Sequence, residues 1–181
     1  MISSLPDPDR SMKELLREFP SARRALFADF HIGGCQSCAF SEEDTLAEVC
    51  RQHELAVTAV QETILRSHEQ EQALLVPPLS LKEEMRKENP PLLVDVRTRE
   101  EHEAVALPGS QLLTESTLGA LTASDPTARI ILYDHTGKTV LDQVSWFRGH
   151  GLKETFALAG GIDAYAREAD PSLPRYRLEL D

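Results

Sequence analysis

Two patterns of apolar spacing divide the sequence. Over residues 9–70 the apolar positions recur every three or four residues, the spacing of amphipathic helices. Ser11-x-x-Glu14 has the form of a capping box, and Met12, Leu15, Leu16 and Phe19 follow at helical intervals. Pro20 breaks that run. Ala22, Ala25, Leu26 and Phe30 then lay down a second stripe, which ends at the turn "HIGGCQSC". Thr45-x-x-Glu48 is another capping box and opens a helix with Leu46, Val49 and Cys50 inward; a last helix carries Val57, Val60, Ile64 and Leu65. The pattern predicts a small all-α domain with a glycine-cysteine turn at one end.

The spacing changes after "RSHEQEQALLVPP", a polar stretch ending in two prolines, whose residues 71–78 are the expected linker. From residue 79 to about 177, "LLVDV", "IILYD" and "TFALA" are short apolar runs of the kind that form buried parallel strands. Between them "SLKEEMRKE", "REEHEAV", "KTVLDQVSWFRGHG" and "IDAYAREA" fit helices. Strands alternating with helices predict an α/β domain, a parallel sheet flanked by helices.

Composition narrows the function classes. The net charge of −11 is spread along the chain, about −6 before residue 77 and about −5 after it. With no basic stripe, nucleic-acid binding has no electrostatic support. The start "MISSLPDPDR" lacks the basic and apolar segments of a signal peptide, and no apolar run approaches the roughly 18 residues that span a bilayer. A cytoplasmic, reducing location is the expectation. There the three cysteines, Cys35, Cys38 and Cys50, read as thiols, metal ligands or redox groups rather than structural disulfides.

The stretch "ILYDHTGKT" ends a strand and closes a loop of Asp134, His135, Thr136, Gly137, Lys138 and Thr139. A phosphate-binding loop, G-x-x-x-x-G-K-[ST], would need a glycine at 132, where Leu132 stands inside the strand. An aspartyl nucleophile at Asp134 would need a magnesium site, and "GGIDAY" offers only Asp163 for it. Both fit less well than a third reading, drawn from the surrounding sequence.

Residues 79–177 resemble a rhodanese-like domain. "LLVDVRTREEHEAVALPGS" is similar to that family's first strand and its Asp-x-Arg, Glu-Glu-His and Pro-Gly signatures, and "FALAGGIDAYAR" to its closing strand and glycine-rich helix. The resemblance implies that the loop after "ILY" is where an active member carries its catalytic cysteine, and that Asp134 stands at that position. It is close to the non-catalytic half of tandem members, with "WFRGHG" (146–151) at the matching aromatic helix. A thiolate there would be stabilised by a curl of backbone N–H groups at a helix N-terminus. A carboxylate could accept those donors itself but could not carry sulfur as a persulfide. The expectation is a folded rhodanese-like domain without cysteine-based sulfurtransferase activity at this loop. Asp95 and Arg97 are expected to fix the strand-end turn, and Trp146 and Phe147 to be core or half-core residues.

The spacing Cys35-x2-Cys38-x11-Cys50, with His53 three residues on, leaves four readings open. Cys35 and Cys38 could be a redox or sulfur-carrying pair with lowered thiol pKa. Cys35, Cys38, Cys50 and His53 have the count for a zinc site. The same residues, or cysteines from two chains of a homodimer, could hold an iron–sulfur cluster. Cys50 could also be a small buried apolar residue. "FPSARRALFADFHIGGCQSCAFSEEDTLAEVCRQHEL" resembles the short Cys-x-x-Cys helical domain associated with hybrid-cluster proteins, and is similar to the N-terminal segment of di-iron proteins of iron–sulfur repair. Both resemblances imply redox, sulfur or metal chemistry.

Four functions follow, in decreasing order of support: a sulfur-relay or thiol-redox accessory protein using Cys35 and Cys38, with a protein partner of sulfur or iron–sulfur metabolism; a non-enzymatic iron–sulfur- or zinc-binding protein; an interaction module; and an aspartyl phosphatase at Asp134. No cofactor is fixed by the sequence, and neither nucleic acid nor membrane is an expected partner.

Overall fold

The Ser11 hydroxyl accepts the backbone N–H of Glu14 at 3.3 Å. Helix α1 (Met12–Glu18) therefore starts at its predicted cap. The computed structural model describes residues 4–33, 40–123, 125 and 127–176. Two of the N–H groups that open α1 donate to loop carbonyls, Met12 to Asp44 at 2.7 Å and Lys13 to Glu42 at 3.0 Å. These are donors that the helix itself cannot satisfy. The bonds tie α1 to the segment that leads into α3 (Leu46–Gln52), where Thr45 and Glu48 form both halves of the capping box. Helices α2 (Ala22–Phe30) and α4 (Val57–Gln72) complete the described helical region. Met12, Leu15, Phe19, Leu26, Leu46, Val49, Val60 and Ile64 form one buried cluster, the stripes predicted from helical spacing.

The chain divides into two units, Met1–Ala73 and Leu74–Asp181. The second holds a five-stranded sheet in the order β1-β5-β4-β2-β3, with every neighbouring pair parallel. Its strands are β1 (Leu75–Val76), β2 (Leu92–Asp95), β3 (Gln111–Leu112), β4 (Ile130–Tyr133) and β5 (Thr155–Leu158). Helices α5 (Pro78–Glu84), α6 (Arg99–Ala104), α7 (Glu115–Ala123), α8 (Val140–Gly149) and α9 (Gly161–Glu168) alternate with them. Along β4 the side chains alternate between two cores. Ile131 and Tyr133 pack with Leu81, Ile162 and Tyr165, while Ile130 and Leu132 pack with Val140, Val144 and Phe147. Burial on both faces is why the strand reads as an unbroken apolar run. This is an α/β unit, a parallel sheet flanked by helices, preceded by a helical region.

The structure differs from the sequence expectation in three places. Residues 71–78, expected as linker, hold the end of α4, the whole of β1 and the first residue of α5. Two paired residues are too few to show a strand period, and β1 owes its place to Leu74 and Val76 carbonyls that accept the N–H groups of Ala157 and Ala159 at 2.9 Å. Strand β3 is equally short. Helix α7 was not anticipated because, of its residues, only Leu121 is fully buried, so it carries no regular apolar stripe.

Candidate functional site

Asp134 follows the last residue of β4 and is 7% exposed. Its carboxylate is enclosed by the loop that it begins. Oδ1 accepts the backbone N–H of Gly137, and Oδ2 accepts the Thr139 N–H and hydroxyl, each at 2.9 Å, and the Val140 N–H at 3.1 Å. Thr139 and Val140 stand at the N-terminal end of α8, where backbone donors lack intrahelical partners and the dipole favours an anion. The loop therefore closes around a negative charge that the chain itself supplies.

Two glycines make that curl sterically accessible, because neither has a Cβ to oppose a left-handed backbone. Gly137 has φ +77°, and a Cβ there would lie 2.7 Å from the backbone nitrogen of Gly160. Gly161 has φ +61°, and its Cβ would lie 2.5 Å from the carbonyl oxygen of Asp134. This close approach lets the start of α9 bond the loop backbone: the Ile162 N–H donates to Asp134 O at 3.0 Å and the Asp163 N–H to His135 O at 3.1 Å.

The adjacent strand end carries a buried polar network. Arg97, with a side chain 2% exposed, holds the Asp95 carboxylate in a fork, through Nε at 2.8 Å and Nη2 at 2.6 Å. Such two-point, charge-assisted bonds are among the stronger hydrogen bonds in proteins. Asp95 also meets His102 Nδ1 at 2.8 Å and accepts the Tyr133 hydroxyl at 2.9 Å. Burial pushes the Asp95 carboxyl up, but the bonds from Arg97 and His102 outweigh it and hold it below its ordinary value. Burial, with the nearby Asp95 charge, pushes Tyr133 up to about 12, although Ser110 and the Leu107 N–H bond its oxygen. Each partner satisfies another. Asp95 and Arg97 fix the strand-end turn, and Arg97 Nη2 extends the network to the Val105 carbonyl at 2.7 Å.

A cavity of about 600 Å³ lies beside the loop, lined by Val96, Arg97, Thr98, Glu101, Asp134, His135, Thr136, Lys138 and Thr139. All the loop residues singled out in the sequence except Gly137 line it, and Gly137 shapes the turn instead. Tyr176 lies next to it, with no signal in the sequence to mark it. Its hydroxyl accepts from Arg97 Nη1 at 2.5 Å and donates to Glu101 at 2.8 Å, and its ring stands edge-on to His135 with centroids 4.5 Å apart. Burial and the Glu101 carboxylate push Tyr176 up to about 12 against the opposing effect of Arg97. Tyr133, Glu101 and His102 stand inside quoted sequence motifs, but their contacts could be read only from the fold.

The cysteine turn divides differently. Cys35 and Cys38 lie outside the described residues. Cys50 is 1% exposed within the helical core cluster, and burial raises its thiol pKa. His53 caps the C-terminal end of α3. Among the described residues no group of three or more His, Cys, Asp and Glu side chains is placed to hold a metal ion. No described helix is long and apolar enough to cross a membrane. Phe147 is a core residue, whereas Trp146 is 44% exposed and stacks on His150 at 3.8 Å.

A family model described as the rhodanese-like domain matches residues 78–168. The chain is 30% identical over 90 residues to the rhodanese-like/PpiC domain-containing protein 12, chloroplastic, of Arabidopsis thaliana; the match covers 46% of this chain and 30% of that protein's length. Among solved structures, a rhodanese-like domain protein from Staphylococcus aureus aligns with 21% identity over 57% of this chain and 98% of its own, at a TM-score of 0.46. The rhodanese-like domain of an Anabaena protein aligns with 19% identity over 60% and 87%, at a TM-score of 0.48. By the matched span and the sheet that fills it, this chain belongs to the rhodanese-like domain family.

Proposed function

We propose that this protein is a sulfur-relay or thiol-redox accessory protein in which Cys35 and Cys38 carry the chemistry and the rhodanese-like unit serves binding or regulation. The observation that carries the reading is the Asp134 carboxylate, bonded by Gly137, Thr139 and Val140 in the hollow at the start of α8. On this reading Asp134 replaces the family's catalytic cysteine. A carboxylate oxygen cannot hold a transferable sulfane sulfur, and it takes up the N–H groups of Gly137, Thr139 and Val140 that an incoming anion would need.

The thiols of the chain all precede residue 51. Cys50 is enclosed in the core with its thiol pKa raised, which disfavours the nucleophilic thiolate. That leaves Cys35 and Cys38 as the pair for sulfur chemistry. In a relay, one thiolate attacks the outer sulfur of thiosulfate. The donor's S–S bond breaks, sulfite leaves with the electron pair, and the resulting persulfide passes its outer sulfur to an acceptor nucleophile. The partner is a protein of sulfur or iron–sulfur metabolism, engaged through the rhodanese-like unit.

The test is sulfane-sulfur and metal analysis of the chain purified anaerobically, with Cys35→Ser as the control. Sulfane sulfur that disappears in Cys35→Ser supports the relay. Stoichiometric iron or zinc that disappears with the same substitution would replace it with a metal-binding role for Cys35, Cys38, Cys50 and His53. Sulfane sulfur unchanged in the variant would remove the assignment to Cys35.

A further inference from the structure

After α9 the chain turns back across the unit. Asp170 closes that turn, as short acidic side chains often do, by bonding the backbone two residues on. It accepts the Ser172 N–H at 3.2 Å and the Ser172 hydroxyl at 2.6 Å. Residues 174–176 then run beside the Asp134 loop in no regular element. Among the described residues they make no backbone–backbone hydrogen bond. Among the described residues, side-chain contacts hold them. Arg175 grips the Asp163 carboxylate through Nε at 2.8 Å and Nη2 at 3.2 Å. Tyr176 puts its hydroxyl between Arg97 and Glu101 and its ring against His135.

From this arrangement we infer that Asp163, Arg97, Glu101 and His135 form a docking surface for an extended peptide bearing an Arg-Tyr pair, which the chain's own Arg175 and Tyr176 occupy in cis. This deepens the proposed binding role of the rhodanese-like unit and rests on it. The receiving groups lie on α6 (Glu101), on α9 (Asp163) and in the loops after β2 (Arg97) and β4 (His135), and they are fixed independently of the tail. Glu101 closes the capping box of α6, Arg97 is locked to Asp95, and Asp163 and His135 are joined through the α9 backbone bond. The surface therefore persists when the tail leaves. Its chemistry is selective: a carboxylate takes the guanidinium, and a donor–acceptor pair takes a phenol, which both accepts and donates.

The attachment is also of a kind that exchanges. The Arg175 side chain is 53% exposed in its ion pair with Asp163. Exposed pairs of this kind contribute little. Such a contact stays filled in cis because the short connection from α9 gives the tail an effective concentration on the order of millimolar. A partner segment with the same two side chains, presented on a further surface of its own, would displace it.

The test uses the full chain and a fluorescein-labelled peptide of residues 170–176, titrated by fluorescence anisotropy. The Arg175→Ala/Tyr176→Ala chain should bind the peptide at least about tenfold more tightly than the parent, whose own tail competes at that effective concentration. A Tyr176→Phe chain, which keeps the ring on His135, should also bind more tightly than the parent. A peptide with Phe in place of Tyr should bind the double variant more weakly. Equal binding to parent and variants, or no binding to any of them, would overturn the inference. Sulfur transfer plays no part in the readout, so this failure is distinct from failure of the relay.

Discussion

Thr139 bonds Asp134 twice, through its backbone N–H and its hydroxyl, both at 2.9 Å to the same carboxylate oxygen. Together with Gly137 and Val140 it makes the loop dependent on a charge at position 134. That position is 7% exposed. Asp134→Ala strips partners from its buried donors and should cost the second unit about 3 kcal/mol. Asp134→Asn keeps one acceptor but turns an amide group toward N–H donors, for a loss of about 1–2 kcal/mol. Urea titration followed through Trp146, the single tryptophan, reports this unit directly.

The backbone of the same loop gives a second prediction. Gly137→Ala places a methyl group against Gly160 and forces a side chain to φ +77°, so both the contact and the conformation oppose it. The loss should be at least about 2 kcal/mol. Gly109→Ala is the comparison: it has a similar φ of +77° but nothing within 4 Å of the new Cβ, so it should lose only the conformational part.

Much of the fold was legible because three strands are buried on both faces and two helix openings, those of α1 and α3, were marked by a capping box. Thr45 and Glu48 announced α3, and the helical segment "IDAYAREA" announced α9. What escaped was structure set by partners distant in sequence. Strand β1 exists through its pairing with β5, and α7 shows its core only a single leucine face. At the site, Asp134 could be singled out from the strand that precedes it. Tyr176 could not, because its partners Arg97 and Glu101 lie 79 and 75 residues away.

The Asp95 network should give the second unit an acid limb. Burial raises the Asp95 carboxyl, but its bonds to Arg97 and His102 leave it below its ordinary 3.8. A carboxyl lowered by folding adds stability that is complete above its unfolded value and is lost as pH falls through the folded one. The contribution should hold down to about pH 5 and fade below about pH 4. Asp95→Asn should flatten this limb. It also leaves the buried Arg97 without its charge partner. That loss should cost about 3 kcal/mol or more at neutral pH.

At the alkaline end the sign reverses. Burial pushes Tyr133 up to about 12, so folding favours its neutral form. The stability it adds is complete below about pH 10 and lost as pH rises toward about 12. Tyr176, also pushed up to about 12, titrates over the same range. Tyr133→Phe should reduce the pH slope of stability there by about one proton while leaving the Tyr176 component. Unfolding free energies measured at a series of pH values check both limbs.

The most direct test is thiosulfate:cyanide sulfurtransferase turnover by the parent, Asp134→Asn and Cys35→Ser/Cys38→Ser chains. The expected result is turnover that survives Asp134→Asn and disappears with the two cysteines. Turnover that persists undiminished in the Cys35→Ser/Cys38→Ser chain would contradict the account, because sulfur would then be moving without the thiols assigned to carry it.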